Sequence, residues 1–359
     1  MMILRWLAPL CAGLVIIWTL LPLLRSDAWY VRIFEFPRVQ IAIIGAVTLF
    51  CYLAFLGLRG PLDWLLVAGL AASMVFQLIR IAPYTPLYQK QVHTAGGPAD
   101  DETLHLMVSN VLTTNRNADA LLKLVRERKP DLLLTVETDR WWEERLDTLA
   151  ADYPFSVKHP LDNLYGMHLY SRLELIDPEL HFLVEDDKPS IQTQVRLRSG
   201  RVIDLHCLHP APPSPTENPT SAERDGELLV VAESIDKPAR SVIVMGDLND
   251  VAWSETTRHF QNISGLLDPR IGRGTFNTFN ARYPFARWPL DHVFCSPDFK
   301  LVEIARLPDI GSDHFPIAAV LHLDPAAVRE HEKLKPDAED REVAEEKIEK
   351  VDADREALS

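Results

Sequence analysis

Val242-Ile243-Val244-Met245-Gly246-Asp247-Leu248-Asn249 is an apolar run that stops at a carboxylate and a carboxamide. A short, continuous apolar run bounded by a turn signal reads as a buried strand, so Asp247 and Asn249 stand at a strand end. On extended backbone alternate residues share a face, which aims both side chains at one spot. Ser312-Asp313-His314 follows another apolar stretch, Leu307 to Ile310, and is expected to emerge beside the first string. A carboxylate next to a carboxamide suits a hard cation such as Mg²⁺, and a histidine next to an aspartate suits proton transfer or phosphate contact. The two strings together point to metal-assisted cleavage of a phosphate ester.

Outward from these strings, strands and helices alternate. Leu104-Val108, Leu132-Val136, Met167-Tyr170, Ile191-Leu197, Val202-Leu208, Ser241-Met245, His292-Cys295 and Ile317-Leu323 read as strands, and Ala118-Arg128, Trp141-Ala150 and Ala222-Ser234 as helices. Composition and periodicity support α/β or α+β and no more. Residues 84–101, rich in Pro, Gly and small polar residues, read as a linker to a domain over 102–323. The tail, residues 324–359, carries 13 acidic and 7 basic residues. With so few apolar positions it is expected to be disordered or a solvated helix.

Residues 1–83 differ from the rest. Three mostly apolar stretches, at about 3–24, 39–58 and 62–81, each approach the roughly 20 residues a helix needs to cross a bilayer, and three transmembrane helices are expected. A cleaved signal peptide is the alternative for the first stretch. Arg25, Arg32, Arg38, Arg80 and Lys90 fall on one side of these spans, and Arg5 and Arg59 on the other. The count favours, by a thin margin, a multi-pass membrane protein with its domain in the cytoplasm. A net charge of -14 argues against broad attraction to nucleic acid, though it leaves room for a local basic groove. The four cysteines are too few for a disulfide framework.

Asn110 and Glu137 each follow a strand, His209 lies in Leu208-His209-Pro210, and Leu290-Asp291-His292-Val293-Phe294 precedes Ser312-Asp313-His314-Phe315-Pro316. In this order, and with Gly246-Asp247-Leu248-Asn249, residues 102 to 323 resemble the endonuclease/exonuclease/phosphatase superfamily, the fold of DNase I. Gly166 to Arg172 and Thr275-Phe276 resemble its lesser blocks. Many members carry Gln-Glu where this chain has Val136-Glu137. The resemblance implies a four-layer α/β/β/α sandwich of the α+β class, here preceded by three transmembrane helices.

It also implies roles. Glu137 would be the principal ligand of Mg²⁺, or of Mn²⁺ in its place, with Asp313 beside it and with Asn110 at the metal, helping to position the metal-binding carboxylate or the phosphate. His209 would contact phosphate or protonate the leaving oxygen, Asp291 would orient a catalytic histidine, and His314 would act as acid, base or charge stabiliser. The residues themselves suggest that Asp247 orients or deprotonates a water while Asn249 holds a phosphate oxygen; Asp247 and His314 are both eligible as the base. Arg172 and Arg287 are candidates for substrate binding, and His292 for a structural role.

Three functions follow for a chain held at a lipid bilayer. The first is a phosphodiesterase or endonuclease acting on nucleic acid; the second is a phosphoesterase acting on phospholipid headgroups or inositol phosphates. The third is an inactive binding or scaffold module, against which the intact Glu137, Asp247 and His314 argue. No protein partner is inferable.

Overall fold

The computed structural model describes residues 2–235 and 239–358, with side chains over 7–235 and 239–353. Apolar helices come first: α1 (Met2–Leu20), a single turn α2 (Trp29–Arg32), α3 (Arg38–Cys51) and α4 (Pro61–Ile81). Ala12, Val15, Ile41 and Leu70 pack at the centre of this bundle. Two of its helices, over Arg38–Leu56 and Pro61–Tyr84, are long and apolar enough to cross a membrane; the first stretch yields the shorter apolar helix Leu7–Leu23. Of the three expected spans, two meet this criterion among the described residues.

The outward faces are apolar: Leu10, Ile43, Phe50, Leu53, Leu65 and Ile79 are all exposed. At the end nearest the domain the packing turns polar. Arg38 donates to Gln77 at 3.2 Å, and Gln77 to Thr19 at 3.0 Å, which ties the three helices together. Arg32 and Arg38, read from sequence as free loop charges, are buried around Glu35 at 3.2 and 3.8 Å. Arg80 pairs with Glu255 at 2.8 Å.

Residues 84–101 lie along the domain and bridge to Leu301 through Thr94. Beyond them run β1 (Thr103–Asn110), α5 (Ala118–Arg128), β2 (Leu132–Val136), α6 (Arg140–Leu146), β3 (Phe155–His159), β4 (Met167–Ser171), β5 (Leu175–His181), β6 (Ser190–Arg196) and β7 (Val202–Leu208). The chain continues through α7 (Ala222–Ile235), β8 (Val242–Asp247), α8 (Glu255–Ser264), β9 (Asp291–Cys295), β10 (Phe299–Arg306), β11 (Ile317–Leu323) and α9 (Ala338–Leu358). One mixed sheet has the order β10-β11-β1-β2-β4-β3 and the other β5-β6-β7-β8-β9. Each holds one parallel pair, β1 with β2 and β7 with β8, joined by the crossover helices α5 and α7. Parallel neighbours require such a crossover.

The sheets bury Leu104, Leu106, Leu134, Leu169, Leu205, Ile243, Met245 and Ile317 between them. Helices α5 and α6 cover the outer face of the first sheet through Leu121, Val125, Trp142 and Leu146; α7 and α8 cover the second through Leu228, Val231, Phe260 and Ile263. The result is the α/β/β/α layering expected. Cys207 and Cys295 are buried free thiols.

The charged tail differs from its expectation. Its helix α9 is docked, with Ala344 and Val351 buried, and Asp340 meets His259 at 2.6 Å. Lys347 pairs with Asp27 and, at 3.1 Å, with Asp225. Ala344, Ile348 and Val351 form one stripe at four- and three-residue spacing, the least that an amphipathic helix can bury.

Candidate active site

Side chains that leave the carboxyl ends of parallel strands converge, and both parallel pairs point their carboxyl ends at the same place. Asn110 ends β1, Glu137 follows β2, His209 follows β7 and Asp247 ends β8. Asp291 begins β9 directly opposite Asp247 in the antiparallel register. Two glycines permit the close approach. A Cβ on Gly246 would lie 1.9 Å from the Leu208 carbonyl oxygen, and one on Gly166 would lie 1.8 Å from that of Thr138.

Asn110 is the hinge of the cluster. Its amide nitrogen donates to Glu137 at 2.7 Å and to Asp247 at 3.0 Å, while its oxygen accepts from the Leu112 amide at 3.0 Å. It bridges two carboxylates, the placing of the metal-binding carboxylate that the family resemblance implies for it, and one hydrogen bond ties its oxygen into its own turn. Glu137 holds φ at 60°, a sparsely populated conformation for such a side chain. Thr113 fixes it by donating to its carbonyl at 2.7 Å. Asn249, at φ 50°, donates to the Pro210 carbonyl at 2.9 Å and so ties the Asp247 turn to the loop of His209.

His314 Nδ1 meets Asp291 at 2.8 Å, and its Nε2 lies 3.5 Å from Asp247. Burial alone would strip the imidazole of its proton; Asp247 and Asp291 outweigh it and push the histidine up to about 10. Burial pushes the Asp247 carboxyl up, against the attraction of His314. His209, 3.9 Å from Asp247 and packed on the Tyr165 ring, is brought down to about 4 by burial, hence neutral. The site thus holds one charged and one neutral histidine on either side of one carboxylate.

Asp247, Asp291 and His314 offer ligand atoms within 4.8 Å of one another. Because the imidazole already engages both carboxylates and is charged, the group is a proton-holding triad and a poor cation seat. The better seat is Glu137. Its Oε2 is buried without a hydrogen-bond partner, and burial, with Asp313 and Asp247 adding repulsion, pushes the carboxyl up to about 7. An orphaned carboxylate oxygen beside a second carboxylate fits a hard cation, with Glu137 and Asp313 as the residues to hold it.

Several expectations move. Ser312-Asp313-His314 lies in the loop before β11, since Leu307 to Ile310 form no strand. Arg172 is at the far end: β4 runs antiparallel to β2, so Met167 meets Val136 near the site while Ser171 meets Leu132, and Arg172 sits over Tyr153. Arg287 is spent on the carbonyl of Ala281 at 2.9 Å and on the Phe315 ring. The Thr-Phe pair at the site is Thr278-Phe279, three residues after the expected Thr275-Phe276. Thr278 accepts from the Asp291 amide at 3.3 Å, and the Phe279 ring lies 4.8 Å from that of His314. The doubled string Thr275-Phe276-Asn277-Thr278-Phe279-Asn280 conceals this choice. His292 is structural, held by Arg270 at 2.6 Å and by the Asp250 carbonyl at 2.9 Å.

A cleft of about 700 Å³ opens over the cluster. Glu137, Asn249, Asp313 and His314 line it, and most of the remaining lining is apolar: Ile33, Phe34, Phe36, Pro37, Phe279, Trp288 and Leu290. Residues 33–37 come from the link between α2 and α3, and nothing in their local sequence signals a place at the site.

The chain belongs to the endonuclease/exonuclease/phosphatase family, whose sequence model matches residues 107–314. No curated protein matches the chain by sequence. Among solved structures it is similar to TDP2 of D. rerio complexed with single-strand DNA product, at 18% identity and TM-score 0.51 over 61% of this chain and 99% of that one. The human Nocturnin catalytic domain with bound sulfate is similar at 17% and 0.52, over 62% and 95%. A family protein from Bacteroides thetaiotaomicron is similar at 16% and 0.52, over 62% and 98%. At these identities the likeness is one of fold.

Proposed function

We propose that this chain is a divalent-cation-dependent phosphoester hydrolase held at a lipid bilayer by its N-terminal helices. The observation that carries the chemistry is His314, kept charged between two buried carboxylates at the edge of a cleft that is also lined by Glu137 with its orphaned oxygen. A cation on Glu137 and Asp313, Mg²⁺ or Mn²⁺ by the chemistry of those donors, would supply charge neutralisation for the phosphate.

The chain's own groups divide the remaining work. Asp247 takes the proton of the attacking water, since His314 already carries one. The water oxygen bonds to phosphorus as the phosphorus–oxygen bond to the leaving group breaks; the leaving alkoxide takes a proton from solvent, and Asp247 returns to solvent the proton it received. His314 offsets the charge that develops on the phosphoryl oxygens, and neutral His209, with Asn249, donates to a non-bridging oxygen.

The exposed apolar faces of α1, α3 and α4 support the bilayer, since surfaces of that extent are rare in water. The fold relative solved with a DNA product favours a second reading, cleavage of nucleic acid.

Hydrolysis of bis(p-nitrophenyl) phosphate by the full chain, with Mg²⁺ or with chelator, tests the proposal. Turnover that needs the metal and disappears in Asp247→Asn is expected. Equal rates with chelator would remove the metal from the reading, and silence would leave the scaffold.

A further inference from the structure

We infer that the substrate is a phosphoester bearing a long hydrocarbon chain, with its phosphate at Glu137 and His314 and its chain along Ile33, Phe36, Trp288 and Leu290. This rests on the phosphoesterase reading and narrows it.

The cleft is of mixed character. Its polar part is the catalytic cluster, and the rest of its lining is mostly apolar. Its size lies within the range of small-molecule sites, where apolar walls bind and a few polar groups orient. A phosphate with an alkyl chain has that same division, whereas a nucleotide strand needs cations along its backbone and open aromatic faces. Here Arg287 and Arg306 both lie over Phe315, Arg116 is paired with Asp139 at 2.7 Å, and Phe279 packs on His314.

The apolar wall also has a telling origin. Ile33, Phe34, Phe36 and Pro37 belong to the segment joining the apolar helices, locked against the domain by the Trp253 indole donating to the Glu35 carbonyl at 2.8 Å and by the Phe36 ring meeting Trp288 at 5.9 Å. The lip of the cleft continues the theme. In the loop after Ala281, Tyr283 and Phe285 are 55% and 79% exposed, and Gln40, in the first turn of α3, donates to the Phe285 carbonyl at 2.9 Å. Two bare aromatic rings thus sit level with the point where α3 leaves the domain. Aromatic side chains favour the bilayer–water interface, so a chain-bearing phosphoester reaches the cleft without crossing water.

The test uses the full chain in lipid nanodiscs with Mg²⁺ and p-nitrophenyl phosphodiesters whose second ester is ethyl, hexyl or decyl, together with plasmid DNA. The value of kcat/KM is expected to climb by about two- to fourfold per added methylene, up to the factor that full burial of a methylene gives. Ile33 is 49% exposed, so Ile33→Asn is expected to fold, and to cut the decyl-to-ethyl ratio about fivefold. Partitioning into the disc is the same for both proteins and cancels in that comparison. A ratio independent of chain length, or unchanged in Ile33→Asn, overturns the inference while Asp247-dependent turnover keeps the phosphoesterase. A flat ratio with cleavage of DNA assigns the site to nucleic acid. No turnover of any ester overturns the phosphoesterase reading, and this inference with it.

Discussion

Replacing Asp291 by Asn removes one of the two charges that hold the proton on His314 while leaving an oxygen of the same shape to accept from Nδ1. At 2.8 Å and an effective dielectric near 20, the lost attraction is about 6 kcal/mol. That exceeds what Asp247, farther away at 3.5 Å, can make up against burial. The imidazole should fall back toward its ordinary value and spend much of its time neutral above pH 7, and an amide facing Nδ1 no longer fixes the tautomer. Together these effects should lower kcat by about 10³- to 10⁴-fold, the size seen when a histidine loses its orienting carboxylate. At about 1.36 kcal/mol per decade that is 4 to 5.5 kcal/mol, so the estimate lies within the electrostatic term. The assay is kcat against pH on bis(p-nitrophenyl) phosphate with saturating Mg²⁺, with metal affinity and Tm measured in parallel. The variant's residual activity should rise as the pH is lowered from 8 to 6, where the imidazole regains its proton. A loss under tenfold, or an unchanged pH profile, would refute the role given to Asp291.

Other perturbations separate chemistry from architecture. Glu137→Gln should abolish the rise in Tm that Mg²⁺ produces in the parent while leaving the metal-free Tm undiminished, because burial already disfavours its carboxylate; a retained metal-induced shift in calorimetry would remove Glu137 from the ligand set. Gly246→Ala puts a Cβ 1.9 Å from the Leu208 carbonyl oxygen, and should cost at least about 2 kcal/mol in urea unfolding together with most activity; a neutral result would show that the β7–β8 junction yields. His168 is buried in β4 with neither ring nitrogen partnered, and burial, aided by Lys158, brings it down to about 3. The unfolded chain therefore binds a proton that the folded one refuses between pH 6.5 and 3, and stability falls as pH falls through that window. His168→Phe should remove up to about 1.4 kcal/mol per pH unit of that slope; parallel stability curves for the two proteins would contradict it.

What could be read in advance was local. Asp247, Asp291, Asp313 and His314 stand in short strings whose strand, turn and charge signals lie within a few residues of one another, and a period-two pattern places them without tertiary knowledge. The hold of Asn110 on Glu137 was anticipated only through the resemblance, and its second hold, on Asp247, depends on a carboxylate that reaches it from β8. Arg172 was misplaced because its block was read without the antiparallel direction of β4. Strands β3, β5 and β10 escaped notice because their burial is partial and their residues mixed. The apolar wall was out of reach altogether, being made by contact between segments more than 200 residues apart.

That separation also sets an order of assembly. Glu35 and Trp253, which fasten the wall, stand 218 residues apart, so at ribosomal rates of 5–20 residues per second the second is made roughly 10 to 40 s after the first. The helix that clasps Asp27 through Lys347 and Lys350 comes later still. The N-terminal helices are thus made long before the catalytic cluster is complete, and on the proposed reading the nascent chain would meet a membrane before it could act. The joint between the N-terminal helices and the domain is therefore complete only once α9 has been made.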